Sequence, residues 1–314
     1  MSNQETYRKL CQEHPDIPLF MQAWWLDASD MPWDVILYTN KGKIAGFYVY
    51  SYVQKWGHTL ITQPTLTQYS GPFLFLPNDL PLAQRYSLEN KAYNYFIAQL
   101  EAKKYHFIEQ NWHHSQTNHQ PFYWQGFKQS TRYTYVLDNT DTEAVWQGLS
   151  SDKKKKYLRS EQSDLRLSLS LSHVDFYHLY KQCLSHKGQH IYYPFKTFEK
   201  LYLAAKDHQC GQILAIYDKQ NQLHAALWIV WDNNAAYNMI IPIVEAHKSS
   251  GASTRLIFEA MRLLQGKTKQ FDFEGSMIQG VALHNQSFGA QQIPFHHLQK
   301  SHSKLLSLWR MFKQ

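Results

Sequence analysis

Val35-Ile-Leu-Tyr38, Thr39-Asn-Lys-Gly-Lys43 and Ile44-Ala-Gly-Phe-Tyr-Val-Tyr50 read as strand, turn and strand. β-Branched and aromatic residues flank a turn that carries Asn40 and Gly42. The same order recurs as Leu214-Ala-Ile-Tyr217, Asp218-Lys-Gln-Asn-Gln222 and Leu223-His-Ala-Ala-Leu-Trp-Ile-Val230. At a constant offset of 179 residues Tyr38 meets Tyr217, Ile44 meets Leu223 and Gly46 meets Ala225, without a gap. A helical segment precedes each hairpin, Leu19 to Asp27 in one case and Thr197 to Lys206 in the other. Strand hairpins resemble one another, so the matched order of neighbouring elements carries the weight. The pattern predicts two copies of one α/β domain.

The elements after each hairpin agree. Glu89 to Lys104 places Ala92, Phe96, Ile97 and Leu100 on one helical stripe, and Phe107-Ile-Glu109 reads as a strand after it. In the second half, Ser253 to Gln265 places Leu256, Ile257, Ala260, Met261 and Leu264 on such a stripe. Arg132-Tyr-Thr-Tyr-Val-Leu137 is a further strand. Asn139-Thr-Asp-Thr-Glu143 breaks the apolar pattern, so the expected domains are 1–140 and 141–314.

Phe271-Asp-Phe-Glu-Gly-Ser-Met277 follows the second helix. Phe271 and Phe273 alternate with Asp272 and Glu274, which is strand periodicity. One face buries two rings; the other carries two acids roughly 7 Å apart. Gly275 permits a sharp departure, and Ser276 sits at the strand exit. A strand that buries aromatic rings rarely ends in two acids without a use for them.

Composition narrows the class. The chain has 314 residues, 44% hydrophobic and 18% charged, which suits two globular domains. Aromatic residues reach 15%, a surplus that fits an aromatic-lined cleft. A net charge of +7 favours polyanionic or phosphate-bearing partners. Cys11, Cys183 and Cys210 have no metal-site spacing, which points to a reduced, cytoplasmic protein. Met1-Ser-Asn-Gln-Glu5 has no signal-peptide pattern. The longest apolar run, Ala225 to Trp231, is too short to span a bilayer. His113-His114 and His296-His297 give no zinc motif, and no Gly-x-Ser-x-Gly elbow is present, so no metal and no serine hydrolase is expected.

Trp24-Trp-Leu-Asp27, Trp33-Asp-Val-Ile-Leu-Tyr38, Gln63-Pro-Thr-Leu-Thr-Gln-Tyr-Ser-Gly-Pro72 and Arg132-Tyr-Thr-Tyr135 form a recognisable series. Gly251-Ala-Ser253, the Phe271 to Met277 stretch and Ser287-Phe-Gly-Ala290 continue it in order. The sequence resembles the FemABX-like peptidyltransferases, in a bacterial FemAB-like branch built from tandem GNAT-type acyltransferase domains. The resemblance implies mixed α+β sheets and aminoacyl or acetyl-type transfer to an amine, with a cell-wall peptide precursor as acceptor. It implies aminoacyl-tRNA as donor, with acyl-coenzyme A the alternative, and no tightly bound cofactor. A protein that kept the fold and lost the chemistry is the reading from a different class. No long heptad pattern is present, so the chain resembles members without a coiled-coil arm.

Acyl transfer needs a proton acceptor, oxyanion stabilisation and a grip on the donor. Asp272 or Glu274 can take the proton, and the residues alone do not choose between them. Tyr237, on the strand Ala235 to Ile241, is placed to donate to the leaving group. Lys248-Ser-Ser250-Gly251-Ala252-Ser253 opens a helix and resembles, imperfectly, the GNAT loop that offers backbone N–H groups to a diphosphate. Lys248 and Ser253 depart from that pattern, which disfavours coenzyme A. Lys153, Lys154 and Arg159, in the run Asp152 to Arg159, are candidates to contact tRNA or precursor phosphates. Gln68, Tyr69 and Arg132 are candidates for the acceptor. Lys304 to Phe312 reads as an amphipathic helix, packed on its domain or touching a membrane surface.

Overall fold

The computed structural model describes residues 2–55, 57–77, 79–275 and 277–302. The chain forms two compact units: Met1–Arg132 with Pro294–Gln314, and Tyr133–Ile293. In chain order the helices and strands are α1 (Asn3–Glu13), α2 (Ala23–Ala28), β1 (Trp33–Asn40), β2 (Lys43–Lys55), β3 (His58–Thr62), β4 (Gly71–Leu74), α3 (Leu82–Ala102), β5 (Phe107–Asn111), α4 (Gln120–Trp124) and β6 (Lys128–Leu137). There follow α5 (Thr142–Gly148), α6 (Ser151–Gln162), β7 (Arg166–Ser168), α7 (His173–Ser185), α8 (Phe195–Asp207), β8 (Gly211–Tyr217) and β9 (Leu223–Trp231). The last are β10 (Ala235–Ile240), α9 (Ala252–Leu264), β11 (Gln270–Asp272), α10 (Gln279–Gln286) and β12 (Gln291–Ser301).

In the first unit the strand order is β1-β2-β3-β5-β12, with β4 added to β2. The β1–β2 hairpin is antiparallel, β3 returns antiparallel to β2, and after α3 the chain re-enters as β5 parallel to β3. In the second unit the order is β6-β11-β10-β9-β8-β7. Its β8–β9 hairpin, antiparallel β10, helix α9 and parallel β11 repeat that succession. Both hairpins carry a register shift at the end of the first strand, at Tyr38/Thr39 and at Ile216/Tyr217. The repeat is not gapless, however. Ile44 pairs with Thr39, whereas Leu223 pairs with Tyr217, so the second turn holds one more residue than the first. An added residue in an exposed turn leaves the strands free to keep their faces.

Strands from far along the chain complete each parallel pair. β6 runs antiparallel to β11, with Asp272 opposite Val136. β12 runs antiparallel to β5, with Ser301 opposite Phe107. The chain therefore leaves the first unit within β6 and returns to it within β12, where a linear division at 140/141 had been expected. A strand binds the edge that matches its pattern, whatever its distance in sequence.

Aromatic rings fill the first unit's core. Tyr48, Tyr93, Phe96, Trp112 and Phe122 are all buried in one cluster, and Tyr48 stacks on Phe122 at 6.0 Å. The aromatic surplus here is packing rather than the lining of a cleft. The second core joins Leu214, Ile216, Leu227 and Ile229 from the sheet to Leu256, Ile257, Ala260 and Leu264 from α9. With Met261, also buried in this core, those α9 positions form the apolar stripe read from the sequence.

Candidate acyl-transfer site in the second unit

β10 and β11 pair in parallel only as far as Tyr237 opposite Asp272. β11 ends there. β10 continues to Ile240, with a register shift against β9 between Asn238 and Ile240. The two strands thus part at their C-terminal ends, and a shift of this kind re-aims backbone and side chains where pairing stops. Parallel strands that separate in this way leave a crevice for ligands at their carboxyl ends.

The local sequence forces the departure. Phe273 N still donates to Tyr135 O at 2.9 Å, which holds the chain to β6. Glu274 then adopts φ 51°, in the left-handed region. A non-glycine residue pays for that conformation with about 1–2 kcal/mol. Gly275 passes so close to β6 that a Cβ would sit 1.8 Å from Tyr133 O. Only glycine fits.

The two acids have different work. Asp272 is buried, and its Oδ1 accepts from Thr134 Oγ1 and, at 2.8 Å, from the backbone N–H of Glu274. It braces the bend. Glu274 is half-buried as a residue, but its Oε1 is sealed from solvent and has no hydrogen-bond partner among the described residues. Burial, and secondarily the charge of Asp272, raise its pKa well above the usual carboxylate range. A carboxyl with one sealed oxygen and a raised pKa has the chemistry to take up a proton or meet a cation. On β10, one residue past Tyr237, Asn238 Oδ1 is also buried with no partner among the described residues. Phe271 and Phe273 face the core, their ring centroids 5.0 Å apart.

No family model matches the chain, and no curated protein does. Solved structures do. A crystal structure of FemX aligns over 96% of this chain and 98% of its own, with a TM-score of 0.72 at 12% identity. The chain has the FemABX-like tandem GNAT fold. L-PGS from Bacillus licheniformis aligns over 97% of this chain and 94% of its own, with a TM-score of 0.59 at 9% identity. A tandem GNAT protein from the clavulanic acid biosynthesis pathway aligns over 90% of this chain and 88% of its own, at 0.52 and 7%. At such identities the likeness is one of fold.

The loop before α9 is the stretch whose sequence resembles a donor-diphosphate loop. Gly251 caps α9 at φ 84°, and Ser250 Oγ accepts from Ala252 N at 3.3 Å. The approach is nevertheless covered. A Cβ on Gly251 would lie 2.0 Å from Lys156 O, so the backbone of α6 rests directly on this helix start. Arg159 Nη1 donates to Ser249 O at 2.9 Å and Arg255 Nη1 to Ser160 O at 3.4 Å, which ties the two helices together. Lys248 is exposed and pairs with Glu245 at 3.0 Å; Ser253 is half-buried in the first turn of α9.

The remaining candidates scatter. Lys153 does not face outward: it is buried, with Nζ 3.0 Å from His284 Nδ1 and 4.4 Å from the Phe288 ring centroid. A helix that starts with four lysines must turn one inward, and its N-cap Ser150 fixes which one. Lys154 lies over Trp146 and Arg159 is exposed but tied to Ser249. Tyr237 is buried and its hydroxyl donates to Asp232 at 3.4 Å. In the first unit Tyr69 is buried against Phe20 and His113, which makes it core rather than a surface reader of an acceptor. Gln68 is half-buried with a sealed Oε1 that has no partner among the described residues, and Arg132 is half-buried on β6. Ser276 and the segment 304–312 lie outside the described residues. Among the described residues no cluster of His, Cys, Asp or Glu could hold a metal, and no helix is long and apolar enough to cross a membrane.

Sequence reasoning missed Thr134, Asn238 and the Lys153–His284 pair. Thr134 had a faint signal, since it alternates with Tyr133 and Tyr135 on a strand. Its partner could not be guessed, because Asp272 is 138 residues away.

Proposed function

We propose that the protein transfers an acyl or aminoacyl group to an amine at the parting of β10 and β11. The observation that carries this reading is the Glu274 carboxyl at that parting, whose Oε1 is sealed and has no partner among the described residues. Glu274 takes the proton that the attacking amine must lose, and burial, by raising its pKa, makes it a stronger base than an ordinary carboxylate. Asp272 positions it through the Glu274 N–H. As the C–N bond forms and the donor's C–O or C–S bond breaks, that proton passes to the leaving group. Tyr237, opposite Asp272 in the ladder, supports the strand end where this takes place.

For the donor we favour an aminoacyl ester, carried on tRNA, over acyl-coenzyme A. The close seat of α6 on Gly251 supports this, because a diphosphate at the α9 N-terminus would need that space. The net charge of +7 agrees with a polyanionic carrier, with Lys154 available on the surface of α6. The fold shared with FemX makes a cell-wall peptide amine the first acceptor to try. Such a reaction belongs to the bacterial cytoplasm.

Incubating the protein with muropeptide amines and either aminoacyl-tRNA or acetyl-coenzyme A, followed by mass spectrometry, tests the reading. Aminoacylated product is expected. Acetylated product would reverse the donor assignment, and binding without transfer from either donor would leave a non-catalytic binding protein. Glu274→Gln should lower kcat/KM about a hundredfold or more. Unchanged turnover in a folded variant removes Glu274 from the chemistry.

A further inference from the structure

Directly after the Glu274–Gly275 bend the chain presents apolar side chains to solvent. Met277 is 63% exposed, Ile278 67% and Val281 40%. Ile278 is the extended N-cap of α10, Met277 directly precedes it, and Val281 lies in the first turn of the helix. Tyr192, 82% exposed on the segment between α7 and α8, lies within electrostatic range of Glu274. Four large apolar or aromatic residues are thus exposed beside one sealed carboxyl in the same unit. Single exposed apolar residues are ordinary; three within five residues, directly after a buried carboxyl, are a candidate binding surface.

We propose that the acceptor is an amphiphilic primary amine, whose ammonium meets Glu274 while its alkyl or arylalkyl body lies across Met277, Ile278, Val281 and Tyr192. The proposal rests on the reading above that Glu274 receives the amine. Charge complementarity chooses this occupant: an entering ammonium favours the ionised form of Glu274 and offers a donor to Oε1, which has no partner among the described residues. A neutral apolar ligand would leave that oxygen buried and unsatisfied. An anionic ligand would meet Asp272 and Glu274 together. A purely polar amine would leave the apolar ledge wet.

Titration calorimetry of the full chain with ethylamine, butylamine and octylamine at pH 7.5, with octanol as the uncharged control, tests this without any donor. A methylene fully removed from water contributes about fourfold, so half-covered methylenes contribute about twofold each. Octylamine should therefore bind at least about tenfold more tightly than ethylamine, and octanol more weakly than octylamine. Replacing Met277, Ile278 and Val281 together by serine should cost octylamine tenfold or more and leave ethylamine unchanged. These side chains are exposed, so the variant should fold, and Val281→Ser alone should move octylamine in the same direction. Equal affinity along the series, or an unaltered triple variant, overturns the ledge. If Glu274→Gln still weakens all amines in that case, the proposed function survives. Binding that follows chain length but ignores Glu274→Gln overturns the placement of the ammonium. Absence of binding by any amine overturns both.

Discussion

Replacing Lys153 with methionine should stabilise the protein at neutral pH. Lys153 Nζ is buried against His284 and the Phe288 ring, and among the described residues no carboxylate pairs with it. Burial first, then the charge of Lys156, lower its pKa from 10.5 to about 8 against the opposing charge of Asp152. Between pH 8 and 10.5 the unfolded chain holds a proton that the folded chain has released, so stability rises with pH through that window. Below it the folded state bears the whole cost of an enclosed ammonium. That cost is about 3 kcal/mol, at about 1.4 kcal/mol per pH unit. Methionine keeps the length and apolar stem, and forfeits about 1 kcal/mol with the bond to His284. The net gain is about 2 kcal/mol at pH 7. His284 works in the same sense at lower pH. Burial first, then Lys153 and Lys156, hold it down at about 4, so the native protein loses stability as pH falls from 6.5 toward 4. That loss should shrink in the variant. Urea unfolding of both proteins at pH 5, 7, 9 and 10.5 reads the difference. A variant less stable at pH 7, or an advantage that stays constant up to pH 10.5, refutes the reasoning.

Gly275→Ala should destabilise by about 3 kcal/mol or more, because its Cβ meets main chain at 1.8 Å and 2.6 Å with no flexible side chain to yield. Gly280→Ala, in α10 with nothing within 4 Å, should instead stabilise by about 0.5–1 kcal/mol. Chemical denaturation of the pair decides, and equal behaviour contradicts the steric argument. Thr134→Val removes the hydroxyl that Asp272 accepts from, and should cost about 2 kcal/mol by the same measurement. Thr131→Val, at an exposed position, should cost under about 0.5 kcal/mol; similar losses at both sites would deny Asp272 its bracing role.

The hairpins were legible because alternation and turn chemistry are local: the residues that define Val35 to Tyr50 lie within one short stretch. The stripe of α9 was legible for the same reason, as was the acid-bearing end of β11. The extra residue in the second hairpin's turn was not, because a gapless match can align side chains while the pairing slips. The direction of Lys153 was hidden too. Four consecutive lysines look alike until a core is present to receive one of them.

By itself the sequence determined the succession of elements, the repetition of that succession, and the presence of two acids and a glycine where the last strand of a repeat ends. The physical reason is that periodicity, caps and turns act over a few residues. Only the tertiary structure decided which acid is sealed and which is braced, since desolvation of Glu274 and the Thr134–Asp272 bond require β6 beside β11. It also decided that β12 completes the first unit's sheet and that α6 covers the start of α9. Strand pairing and burial join residues far apart in the chain, and no local pattern encodes which partners will meet.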